Sequence, residues 1–89
     1  MKKATLPLEK LISPDAFHEE IAKTLDFPCY YGKNLDALYD CLTDIIEPTE
    51  IVFPQKAEES AYLGEYAAKI ISVLKDAEID NDSLKITIN

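Results

Sequence analysis

Asp36 and Asp40 stand one helical turn apart in the run Asn34-Leu35-Asp36-Ala37-Leu38-Tyr39-Asp40-Cys41-Leu42-Thr43-Asp44. Two carboxylates at that spacing lie roughly 6 Å apart on a helix face, the separation of a glycosidase acid and base. That chemistry also needs a cleft, because one carboxyl must be desolvated before its pKa rises. Side chains at i and i+4 on the polar side of a helix project instead from a convex surface. The other reactive residue types are isolated. His18 is the single histidine and has Glu19 and Glu20 beside it, so it reads as a solvated surface imidazole. Cys29 and Cys41 have no Cys or His at zinc spacing, and Gly32 and Gly64 stand alone, so no phosphate-cradling loop can be written. No catalytic residue, metal or cofactor is expected, and the chain does not read as an enzyme.

The same acids suit recognition better. Leu35, Leu38, Leu42 and Ile45 recur at helical spacing and form one apolar side. Asp36, Asp40, Thr43 and Asp44 follow the same period on the other side, with Tyr39 beside them. Like charges at i, i+4 cost a helix about 0.2–0.5 kcal/mol, and no Lys or Arg lies between Asp36 and Asp44 to relieve them. Tyr30, Tyr31 and Tyr39, three of the five tyrosines, add the residue type that anchors protein interfaces. Tyr30 and Tyr31 serve equally well as a cover for the loop against the core. A solvated face without a partner remains the plain alternative.

The whole chain narrows the partner. Its 89 residues carry a formal charge of −8, which repels nucleic acid and attracts basic proteins. A hydrophobic content of 47% belongs to a folded domain and not to an acidic tail. No apolar run approaches the roughly 18 residues of a membrane span, and Met-Lys-Lys is not followed by the apolar stretch of a signal peptide. The expectation is one domain over 1–89, in the cytoplasm. Cys41 falls at the edge of the apolar side of its helix, as a small reduced thiol.

Several elements must position these residues. Lys2 to Leu8 reads as an edge strand limited by Pro7. Ser13-Pro14 starts a helix, with Ile12 and Phe17 placed for a hydrophobic staple. That helix buries Phe17, Ile21 and Leu25 and ends at Asp26-Phe27-Pro28, because the residue before proline avoids the helical region. Gly32 is expected to supply a special backbone conformation, Asn34 to cap the second helix, and Glu47-Pro48-Thr49 to close it. Glu50 to Phe53 reads as a central strand buried on both faces. A short helical stretch from Gln55 to Leu63 precedes a helix from Glu65 to Ile79, striped by Ala67, Ile70, Ile71, Leu74 and Ala77. Leu84 to Ile88 alternates as a last strand. This order predicts an α/β fold: a three-stranded parallel sheet with helical crossovers, a single layer of strands packed by helices.

The run from Tyr30 to Leu38, followed by Asp40-Cys41-Leu42-Thr43, resembles the core motif of the barstar family, intracellular inhibitors of barnase-type ribonucleases. The resemblance extends from the Met-Lys-Lys-Ala start to the closing Ile86-Thr87-Ile88, and implies one barstar-like domain that blocks a ribonuclease with its second helix and the preceding loop. By that resemblance Asp40 is the central acid, replacing substrate phosphate against the enzyme's arginines and catalytic histidine, and Asp36 is a second. Tyr30, Asn34 and Thr43 match contact positions, and Tyr39 takes a place usually held by tryptophan. Asp76 and Asp80 match acidic contacts on the last helix. Asp44 and Ile45 stand where the best-known member has glycine and tryptophan, and Lys33 replaces an acid. The implied partner is a basic, secreted, guanyl-preferring ribonuclease bound 1:1 by a monomer. A different basic toxin or nuclease is the alternative.

Overall fold

A computed structural model describes residues 2–28, 31–59 and 63–89. Three parallel strands, β1 (Lys2–Thr5), β2 (Thr49–Phe53) and β3 (Leu84–Ile88), lie in the order β1-β2-β3. Ala4 is in register with Ile51, and Ile51 with Ile86. Between β1 and β2 run α1 (Pro14–Leu25) and α2 (Leu35–Thr43), and between β2 and β3 runs α3 (Glu65–Asp80). Short 3-10 turns occupy Leu8–Lys10 and Gln55–Glu59. The α/β class, the central place of β2 and the strand-helix order match the expectation from sequence.

The sheet's two faces differ. Ala4, Ile51, Phe53 and Leu84 join one core with Phe17 and Ile21 of α1, Leu38 and Leu42 of α2, and Ala67, Ile70, Leu74 and Ala77 of α3. Residues of the opposite parity are mostly polar: Lys3, Thr5 and Lys85 are exposed, and Glu50 accepts a 2.6 Å hydrogen bond from the Thr87 hydroxyl. Val52 is buried on that side without joining the core cluster. The reading of β2 as buried on both faces holds, since Glu50 alone of its five residues is half-buried and the rest are buried. Its apolar run is continuous, but the core gathers on one side only.

Local chemistry explains the ends of α1. The Ser13 hydroxyl accepts from the Ala16 amide at 3.0 Å, and Pro14 fills the first turn, where a missing N–H costs nothing. The expected staple is not a buried pair, since Phe17 is fully buried while Ile12 is 55% exposed. The helix stops one residue earlier than the proline rule requires. Asp26 adopts a left-handed conformation with φ 57°, and the amide of Phe27 returns to the Ala22 carbonyl at 2.9 Å.

Candidate docking surface

The loop into α2 is shaped by side-chain capping. The Ala37 amide donates to Asn34 Oδ1 at 2.7 Å, and Asn34 Nδ2 donates back to the Gly32 carbonyl at 3.3 Å. Gly32 does not supply the unusual backbone that was expected of it; Lys33 does, at φ 53°. What Gly32 supplies is room, because a Cβ there would sit 3.2 Å from Asn34 Nδ2 and 3.5 Å from the Ala37 methyl. Lys33 in turn pairs with Glu19 of α1 at 3.3 Å on the surface.

α2 ends at Thr43, short of the Glu47-Pro48-Thr49 stop expected from sequence. The reason lies in the turn after α3. Asn81 Nδ2 donates to the carbonyls of both Leu42 and Ile45 at 2.9 Å, and Ser83 Oγ donates to that of Ile46 at 3.3 Å. Carbonyls left unpaired at a helix end need partners, and here another element provides them. The chain then leaves the helical path, and Ile46 stands 92% exposed.

The two faces of α2 are as the periodicity predicts. Leu38 and Leu42 are fully buried, with Leu35 and Ile45 packed against the core margin. Asp36, Asp40 and Asp44 are exposed on the other side, with Tyr39 and Thr43 half-buried. Asp76 and Asp80 are exposed on α3. The Tyr39 hydroxyl donates to the Asp80 carboxylate. This bond holds the Tyr39 phenol above its ordinary pKa, and the charges of Asp80, Asp76 and Asp40 push in the same direction. Acids of α2 and α3 thus act on one tyrosine and share one surface.

Not every expected contact presents its side chain outward. Asn34 is exposed but spends both ends of its amide on the cap. The Thr43 hydroxyl donates back to its own helix, to the carbonyls of Tyr39 at 3.0 Å and Asp40 at 3.1 Å. Ile45 is largely a core-margin residue. Tyr30, like Cys29, lies outside the described residues.

Beside the acids, a groove of about 290 Å³ is lined by Leu25, Asp26, Phe27, Pro28, Asp40, Cys41, Asp44 and Ile45. Asp36 is not among its lining residues, so Asp36 and Asp40 do not share a cleft there. Burial raises the pKa of the Cys41 thiol, and the charges of Asp44 and Asp40 add to the shift, which leaves it a poor nucleophile. Asp26 and Ile46 flank this surface and were not anticipated. Asp26 read only as a helix stop, and Ile46 loses its helical position through a residue far along the chain.

His18 departs most from its reading. It is fully buried, with Nδ1 at 2.5 Å from the Tyr31 hydroxyl and Nε2 at 2.6 Å from the Tyr66 hydroxyl. Its neighbours Glu19 and Glu20 suggested a polar face, but Phe17, His18 and Ile21 all turn inward. Both tyrosines pack as rings against the imidazole, at centroid distances of 5.7 and 6.0 Å. Burial holds its pKa below the ordinary 6.5.

The family model described as Barstar (barnase inhibitor) matches residues 1–89. The chain belongs to the barstar family. A Bacillus subtilis (strain 168) protein named "Putative ribonuclease inhibitor YrdF" is 38% identical to this barstar-family chain over 76 residues, covering 83% of the chain and 84% of that protein. Membership marks the chain as an inhibitor and not an enzyme. No helix among the described residues is long and apolar enough to cross a membrane.

Proposed function

We propose that residues 1–89 act as one domain that inhibits a barnase-like, guanyl-preferring secreted ribonuclease, binding it 1:1 as a monomer in the cytoplasm and occluding its active site. The observation that carries this reading is the Tyr39–Asp80 hydrogen bond, which joins α2, with Asp36, Asp40 and Asp44 exposed, to α3, with Asp76 and Asp80 exposed. A ribonuclease site holds phosphate with arginine, lysine and histidine. Carboxylates satisfy the same donors through charge-assisted hydrogen bonds and contain no bond the enzyme can cleave. Asp40 is the central acid and Asp36 the second, with Tyr30, Asn34, Tyr39, Thr43, Asp44, Ile45, Asp76 and Asp80 around them. For Asn34, Thr43 and Ile45, whose polar groups or side chains are committed within the fold, the contact is made by shape.

The reading is tested by titrating a purified guanyl-preferring ribonuclease with the wild-type chain and with Asp40→Ala. Stoichiometric inhibition by the wild type and a large loss in the variant are expected; equal potency would overturn the reading. A second reading, a barstar-fold immunity protein for another basic toxin or nuclease, is favoured by Asp44, whose carboxylate joins Asp40 on the groove where the best-known relative has glycine. In that case the chain captures such a toxin from the host while leaving guanyl-preferring ribonucleases active.

A further inference from the structure

The docking surface described above does not use His18, yet this imidazole sits at its root. Tyr31 lies in the loop between α1 and α2, three residues before the Asn34 cap, with its amide bonded to the Pro28 carbonyl at 3.0 Å and its ring 5.1 Å from that of Phe27. Tyr31 is itself buried, so it serves the loop as an internal anchor. The anchor's hydroxyl ends on His18 of α1, whose other nitrogen ends on Tyr66 of α3. One ring therefore joins three elements at the point where the chain turns into the acidic helix.

We infer that His18 is a positioning residue whose neutral ring ties the loop before α2 into its docking conformation, and that protonating the ring releases the loop and weakens partner binding. This rests on the proposed docking of α2 and its loop. A neutral imidazole has one N–H donor and one bare acceptor nitrogen, so one tyrosine hydroxyl accepts from the ring and the other donates to it. Protonation puts a second N–H on the ring. The tyrosine that had donated then faces a donor, and its own proton must find another acceptor, within the fold for buried Tyr31 and toward solvent for half-buried Tyr66. A charge is also placed where water does not reach it.

The surrounding groups do not neutralise that charge. From α1, Asp15 favours the cation, while Glu19 is engaged with Lys33. From the loop, Lys33 opposes it and Tyr31 offers only a hydroxyl. From α3, Tyr66 does the same. Cys41 of α2 acts on Tyr31, further raising a phenol that burial already holds protonated. Among the described residues no carboxylate is hydrogen-bonded to the ring.

The test uses the full chain as wild type, His18→Gln and Tyr66→Phe, between pH 8 and pH 5. Amide exchange of residues 31–35 is followed in the free protein, with correction for intrinsic rates, and inhibition of one guanyl-preferring ribonuclease is followed in parallel. Glutamine can donate and accept but cannot titrate. In the wild type, protection of residues 31–35 is expected to fall as the ring protonates, and affinity to fall by up to about tenfold per pH unit below that titration, the slope of one proton lost on binding. His18→Gln is expected to lack this component whatever its affinity at pH 8, measured as the difference in pH slope between the two profiles with the same enzyme. Tyr66→Phe should reduce protection already at pH 8. Parallel wild-type and His18→Gln profiles overturn the inference, as does an imidazole that titrates in the free protein without moving the 31–35 amides. If His18→Gln does not fold, the wild-type ring titration and Tyr66→Phe decide. Absence of inhibition at pH 8 by all three chains overturns the proposed function, while the exchange data on the free protein still decide whether the tie exists.

Discussion

The Tyr39 hydroxyl donates a hydrogen bond to the Asp80 carboxylate, tying the middle of α2 to the C-terminal end of α3 across 41 residues of sequence. Two acid-bearing helices repel one another unless something holds them. Here a neutral donor from one helix binds an acid of the other, and the core contacts of Leu38 and Leu42 with the α3 stripe supply the rest. The result is one surface with acids from both helices, rather than two separate acidic faces.

Truncating Asp40 should be the most damaging single change to binding. Removing one partner of a buried charge pair costs about 3–5 kcal/mol, or roughly a hundredfold to several thousandfold in Kd. Asp40 is exposed in the free protein, so Asp40→Ala should leave stability nearly unchanged. Titration calorimetry with the cognate ribonuclease and urea denaturation of the free chain check both halves.

Association should depend strongly on salt. With a formal charge of −8, the chain steers a basic partner at low ionic strength. Charges separated by more than the Debye length, about 10 Å at 0.1 M salt, are largely screened. Stopped-flow measurements across a salt series should show the association rate falling much more than the dissociation rate rises. A salt-insensitive association rate counts against this surface as the docking face.

Asp44 should trade stability for binding. It caps the C-terminal end of α2, where the macrodipole is negative and no basic residue occupies the last turn. An acid in that place is unfavourable, so Asp44→Asn should stabilise the fold by about 0.3–1 kcal/mol. The same substitution should weaken capture of the partner. Denaturation and affinity measured on one preparation test the opposed signs.

Asn81 should matter to stability more than its place in a polar turn suggests. It closes the end of α2 through Leu42 and Ile45 and accepts from the Ser83 amide at 2.9 Å. Asn81→Ala takes the side-chain partner from the Ile45 carbonyl and the Ser83 amide, while the Leu42 carbonyl keeps the Ile45 amide, at a cost of about 1–3 kcal/mol. Loss of the local cap in Asn34→Ala should cost about 1 kcal/mol. Urea midpoints should rank the two variants in that order.

Stability should fall on mild acidification through His18. Its folded pKa lies below 6.5, the value of the unfolded chain, so between the two values the unfolded state binds more protons. The contribution is complete above about pH 6.5 and is lost as pH falls through the folded value. Equilibrium unfolding of the wild type at pH 7.5 and pH 5.5 should show the loss, and His18→Gln should show less of it over the same interval.

Much of this protein follows from local order in the sequence. The leucine spacing of α2 places Asp36, Asp40 and Asp44 outward because side chains three and four apart share a helix face. Ser13-Pro14 and Asn34 start helices through bonds that span three residues, and the β-branched run after Pro48 makes the central strand. Each of these depends on neighbours within about one turn. What tertiary structure decided depends on partners far along the chain. Asn81 ends α2 from a distance of 39 residues, Tyr66 reaches His18 across 48, and Asp80 receives Tyr39. The packing of all three helices into a core on one side of the sheet determines that His18 turns inward despite its acidic neighbours. Periodicity shows which residues share a face, whereas the partner that each face meets is determined only when separate elements pack together.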